Sequence, residues 1–93
     1  MPEKAIKVRV FGRVQGVGYR SWTSSNAQKY GLIGWVRNRV DGSVEALFVG
    51  EESVVQLLVE QCRKGPPAAR VEKVETEDAL GIVDKGFRQL PTV

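Results

Sequence analysis

Apolar residues along this 93-residue chain follow a period of two, then about 3.6, then two in two successive runs, then 3.6, and finally two again. Ile6, Val8 and Val10 alternate with Lys7, Arg9 and Phe11, which predicts a first strand ending at Gly12. Residues from Ser21 to Tyr30 predict a helix with Trp22, Ala27 and Tyr30 on its buried side and Gly31 as its left-handed terminator. Leu32 to Asn38 and Ser43 to Val49 predict two strands, joined at Asp41-Gly42, a strong hairpin signal. Glu51 and Glu52 suit the positive end of a second helix. That helix is expected to bury Val54, Leu57, Leu58 and Cys62, with Val55 and Val59 alongside. Lys64-Gly65-Pro66-Pro67 stops it.

A fourth strand is expected over Arg70 to Glu77, bulged because Val71 and Val74 have opposite parity. Gly86 to Leu90 adds a short edge strand. The order β-α-β-β-α-β is that of the split βαβ, or ferredoxin-like, α+β sandwich: an antiparallel sheet with two helices on one face. The length suits one domain over residues 1–93. Many unrelated functions use this architecture, so function has to be argued from a site.

Composition removes several chemistries. The chain has no histidine and a single cysteine, Cys62. Ser-His-Asp and Cys-His mechanisms are therefore excluded, an intramolecular disulfide cannot form, and a zinc site would need an all-carboxylate shell. Neither a metal nor any other cofactor is expected. No apolar run approaches the length of a membrane span, and no signal peptide is visible, so a cytoplasmic protein without a membrane partner is expected. Residues 1–42 carry eight basic side chains against Glu3 and Asp41, a net of +6, whereas the remainder carries six basic and nine acidic, a net of −3. The first half attracts anions.

Within that half, Gln15, Gly16, Val17, Gly18 and Tyr19 form a loop from strand to helix, and Arg20 follows at once. Amides at a helix N-terminus lack intrahelical partners and carry partial positive charge. Gly16 and Gly18 admit backbone conformations that let such amides converge on an anion. The Arg20 guanidinium offers a planar fork that matches two phosphate oxygens. The loop lacks the Gly-Lys-Ser/Thr ending of a Walker loop and the third glycine of a dinucleotide fingerprint. A tight strand-to-helix turn would use the same glycines. Asn38, at the end of the second strand, reads either as a turn residue or as a neutral amide that holds a water without taking its proton.

Gly12-Arg13-Val14-Gln15-Gly16-Val17-Gly18-Tyr19-Arg20 resembles the first signature of the acylphosphatase family. Gly34-Trp35-Val36-Arg37-Asn38, followed by Asp41-Gly42-Ser43-Val44-Glu45 and Gly50, resembles the second. The likeness continues through Gly65-Pro66-Pro67-Ala68-Ala69-Arg70-Val71 to the region of Phe87, and the tail from Gln89 to Val93 departs from it most. The resemblance implies metal-independent hydrolysis of the carboxyl–phosphate bond of a small acyl phosphate, without a phosphoenzyme. It implies that Arg20 binds phosphate and is catalytic, that Asn38 orients the water, and that residues 15–19 supply backbone N–H groups. Inorganic phosphate is then expected as product and inhibitor, and the protein as a monomer.

Three rival readings fit less well. RNA-recognition domains share the element order, but the third strand here carries only Phe48 as an aromatic and lacks their motif, so no nucleic-acid partner is expected. A metal-carrying domain of this architecture would need Cys-x-x-Cys in the first loop. A phosphate-binding regulator without catalysis would have no use for Arg20 and Asn38 together. Cys62, Trp22 and Trp35 are expected to pack.

Overall fold

The computed structural model describes residues 3–81 and 83–93. Five strands and two helices follow in the order β1 (Glu3–Arg13), α1 (Tyr19–Lys29), β2 (Ile33–Asn38), β3 (Val44–Glu51), α2 (Glu52–Cys62), β4 (Arg70–Asp78) and β5 (Phe87–Gln89). The strands form one sheet in the spatial order β4-β1-β3-β2-β5. β1 to β4 pair antiparallel, as the ferredoxin-like pattern requires, while β5 adds to β2 in parallel and makes the sheet mixed.

Alternation explains the layers. Val8 and Val10 of β1, Val36 of β2 and Val44, Ala46 and Phe48 of β3 are buried on one side of the sheet. Val55, Leu58, Val59 and Cys62 of α2, with Ala27 of α1, complete the same core. β3 lies at the centre of the sheet and is buried along Val44 to Val49 on both faces. Phe87 of β5 stacks on Phe48 at 5.8 Å between ring centroids, which ties the short edge strand to the core.

The buried face of α2 is rotated by one position from the expected one. Val55, Leu58, Val59 and Cys62 are buried, whereas Val54 is half-buried and Leu57 is exposed. The helix carries apolar residues around more than half its circumference, so periodicity alone leaves two stripes of similar quality. α1 begins two residues earlier than expected, at Tyr19, and buries Tyr19, Thr23, Ser24 and Ala27, leaving Trp22 and Tyr30 half-buried at the margin. Its first turn has no side-chain cap and no acidic residue, so the usual sequence signal for a helix start is missing.

The expected bulge lies in β4. Phe11 pairs with Lys73 and Gly12 with Val71, which leaves Glu72 as the extra residue and lets Val71 and Val74 both turn to the core. At Gly34 the backbone of β2 passes so close to β3 that a Cβ would overlap the Leu47 carbonyl oxygen.

The hairpin between β2 and β3 is wider than a two-residue turn. Residues 39–43 form it, with the Arg39 N–H donating to the Ser43 carbonyl at 2.9 Å and the Gly42 N–H to the Arg39 carbonyl at 3.0 Å. The β1–α1 loop, this hairpin and the C-terminal end of β5 meet at one end of the sheet.

Candidate active site

At that end lies a hollow of about 110 Å³, lined by Val14, Gln15, Gly16, Gly18, Tyr19, Arg20, Ser21, Asn38 and Gln89. The residues expected from two separate stretches of sequence therefore share one depression. Val17 stands apart from them, half-buried and packed on the core, so its side chain anchors the loop.

The loop geometry follows from its glycines. Gly16 and Gly18 have φ of 73° and 79°, a region that L side chains enter at a cost of about 1–2 kcal/mol. Gly18 is the N-cap of α1, and the first intrahelical bond runs from the Trp22 N–H to the Gly18 carbonyl at 3.0 Å. The amides of Tyr19, Arg20 and Ser21 come before it and have no partner in their own helix. These donors and the positive end of the α1 dipole lie at the hollow. Arg20, half-buried, lines the hollow from the same turn. It makes no ion pair among the described residues.

Tyr19 anchors the start of the helix from below. Its ring is buried, and its hydroxyl donates to the Cys62 carbonyl at 2.6 Å, joining the N-terminus of α1 to the C-terminus of α2. Burial, with the neighbouring Cys62, raises the phenol well above its ordinary range. Tyr19 therefore enters the hollow as a neutral wall.

The hairpin that carries Asn38 is braced from several sides. Ser43 donates to Asp41 through its backbone N–H at 2.9 Å and its hydroxyl at 2.6 Å. Arg9 of β1 donates to the Ser43 hydroxyl at 3.0 Å and pairs with Asp41. The hydrogen bonds from Ser43, reinforced by Arg9, pull the Asp41 carboxyl down to about 2. Glu45, whose side chain is only 7% exposed, accepts from Arg37 at 2.8 Å and Arg39 at 3.1 Å. Burial alone would raise its pKa, but the two guanidinium groups outweigh that and hold it below the usual range. The Gln15 side chain reaches over from the β1–α1 loop and donates to the Arg39 carbonyl at 2.7 Å and the Ser43 carbonyl at 2.9 Å.

Volume alone would have pointed elsewhere. A depression of about 470 Å³ on the helix-free face of the sheet is lined by Lys7, Arg9, Glu45, Glu75 and Glu77 among others. Its charges are already matched: Lys7 with Glu77, Arg9 with Asp41, and Glu45 with Arg37. Matched charges offer little to an anion, whereas the small hollow is lined by Arg20, which has no ion-pair partner among the described residues, and by the first residues of α1. Among the described residues no group of three or more His, Cys, Asp or Glu is placed to hold a metal ion, and no helix is long and apolar enough to cross a membrane.

The acylphosphatase family model matches residues 6–89. The chain belongs to the acylphosphatase family. An acylphosphatase of Rhizorhabdus wittichii is 49% identical over 96% of this chain and 90% of its own. The structure of an acylphosphatase from Coxiella burnetii superposes with a TM-score of 0.90 at 36% identity, covering 95% of this chain and 93% of that one. The crystal structure of acylphosphatase from Bacillus subtilis gives a TM-score of 0.86 at 36% identity, covering 92% of this chain and 97% of that one. With the likeness running through nearly the full length of both partners, the activity is that of an acylphosphatase, a hydrolase acting on acyl phosphates.

Three residues of the hollow lie outside the expected set: the fully buried Val14, Ser21 and Gln89. Gln89 lies on the shortest strand, in the tail that departs most from the family signatures. Ser21 is the expected first residue of the helix, but the expected anion site ends one residue before it, at Arg20. A phosphate-sized site at a helix N-terminus uses the first few amides, so once the start at Tyr19 is known, Ser21 is implied.

Proposed function

We propose that the chain hydrolyses the carboxyl–phosphate bond without a metal, with Arg20 and the loop amides gripping the phosphate and Asn38 placing the attacking water. The meeting of Arg20, the glycine loop and Asn38 around one hollow carries this reading.

The chemistry asks little of a protein that has no histidine. The leaving group is a carboxylate, stable as an anion, so no general acid has to protonate it. A loose phosphoryl transition state asks mainly for alignment and for stabilisation of charge on its equatorial oxygens. The Arg20 fork and the amides at the head of α1 supply that stabilisation without rearranging. Asn38 presents a carboxamide, donor and acceptor at once, to a water in line with the leaving oxygen. The hollow contains no carboxylate or imidazole to take the water's proton. A phosphate oxygen of the substrate accepts it.

Inorganic phosphate, as product, fits the same grip and inhibits by competition. The protein works as a monomer in the cytoplasm. The large exposed apolar side chains among the described residues, Val40, Leu57, Leu80 and Val93, are too few for an obligate interface, and Cys62 is a free thiol. The test is hydrolysis of benzoyl phosphate in excess EDTA, with and without added phosphate. Turnover that survives the chelator and falls with phosphate supports the proposal, and turnover abolished by EDTA overturns it.

A further inference from the structure

Gln15 sits in the phosphate loop, yet its side chain is engaged with the opposite wall. Its carboxamide nitrogen donates to the Arg39 carbonyl at 2.7 Å and to the Ser43 carbonyl at 2.9 Å, across 24 and 28 residues of sequence. Those carbonyls flank the hairpin turn, and Arg39 directly follows Asn38. Both N–H bonds of one planar amide are thus used to join the anion cradle to the strand end that carries the water-holding residue. Among the described residues this is the side-chain hydrogen bonding between the two walls.

We infer that Gln15 is a positioning residue whose carboxamide sets the spacing between the phosphate cradle and Asn38. This rests on the roles proposed above for the cradle and Asn38. In-line attack tolerates little error in that spacing, since a misplacement of about 1 Å costs on the order of 100-fold in rate. The backbone of Gln15 belongs to the loop, but its side chain fixes where the water stands relative to phosphorus.

The two carbonyls do not depend on Gln15 for folding. The Arg39 carbonyl also accepts the Gly42 N–H at 3.0 Å, and the Ser43 carbonyl the Arg39 N–H at 2.9 Å. Removing the Gln15 amide therefore strands no buried acceptor, and the hairpin keeps its own bonds. A change at Gln15 should move turnover far more than stability.

Gln15→Met keeps the length and bulk of the side chain and removes both donors; Gln15→Ala removes the reach as well. Both are to be assayed with benzoyl phosphate, with inorganic phosphate as competitive inhibitor and urea unfolding as the check on folding. The expected result is kcat lowered roughly 10- to 100-fold in both variants, with the phosphate inhibition constant within about twofold of the parent. A Gln15→Met enzyme with normal kcat would overturn the inference, as would a loss of phosphate affinity that accounts for the whole defect. The same variants are then made on Asn38→Ala. If Gln15 acts through Asn38, its replacement there lowers kcat further by no more than about threefold. Full additivity sinks the inference while leaving Asn38 in place. If Asn38→Ala alone leaves kcat intact, the proposed function itself has failed.

Discussion

At Arg20 the chain sets a cation in the first turn of a helix, where the local dipole disfavours it. Under the function proposed above, the same placement turns that cost into a gain once a phosphate dianion is bound by Arg20 and the first amides of α1. The shape of the group matters as much as its charge. Arg20→Lys keeps the charge and loses the fork, and turnover of benzoyl phosphate should fall roughly 100-fold or more. A variant with about half the parent rate would contradict bidentate grip. Asn38 faces the other requirement. Asn38→Ala should lower kcat on the order of 100-fold while phosphate still competes at nearly its original concentration, as steady-state inhibition would show. That Arg20 and Asn38 line one hollow was legible in the sequence because each stands in a long gapless signature. The use of the Gln15 side chain was not, because a bond spanning 24 residues leaves no local trace.

Among elements, the hairpin of residues 39–43 is held by charge more than by burial. Asp41 is pulled down to about 2, chiefly by the Ser43 hydrogen bonds, and an unfolded aspartate titrates near 3.9. A carboxyl depressed in the folded state stabilises that state above its unfolded pKa and ceases to as pH falls through the folded one. Stability to urea should thus decline as pH drops from about 4 towards 2, and Asp41→Asn should show a flatter profile over that window. Glu45, held low by Arg37 and Arg39, acts in the same direction. The elements themselves were legible because each has a distinct period, and the β4 bulge was legible from the parity of Val71 and Val74. The buried stripe of α2 was not, since Val54 and Leu57 compete with Val55 and Val59 until tertiary packing chooses. Nor was the parallel pairing of β5. A strand of three residues carries too few side chains for alternation to show which neighbour it joins.

For the molecule as a whole, Cys62 reports on integrity. It is buried between the helices and the sheet, and burial pushes its thiol up to about 12. A disulfide reagent at pH 8 should label it only as fast as the fold opens, so the labelling rate should rise with urea in step with loss of structure. Fast labelling of the native protein would place the thiol nearer to solvent than its surroundings allow.

The sheet order has a consequence for how such a molecule is made. β4 and β5 lie at opposite margins, so the polypeptide has to cross the breadth of the sheet before Phe87 can settle on Phe48. Of the pieces that bound the hollow, the one bearing Gln89 leaves the ribosome last. Until it docks, β2 offers a bare row of amides and carbonyls, and a nascent chain in that interval is open to zipping against a neighbour's strand. The last lining residue of the hollow and the cover over the edge of β2 therefore arrive in the same late step.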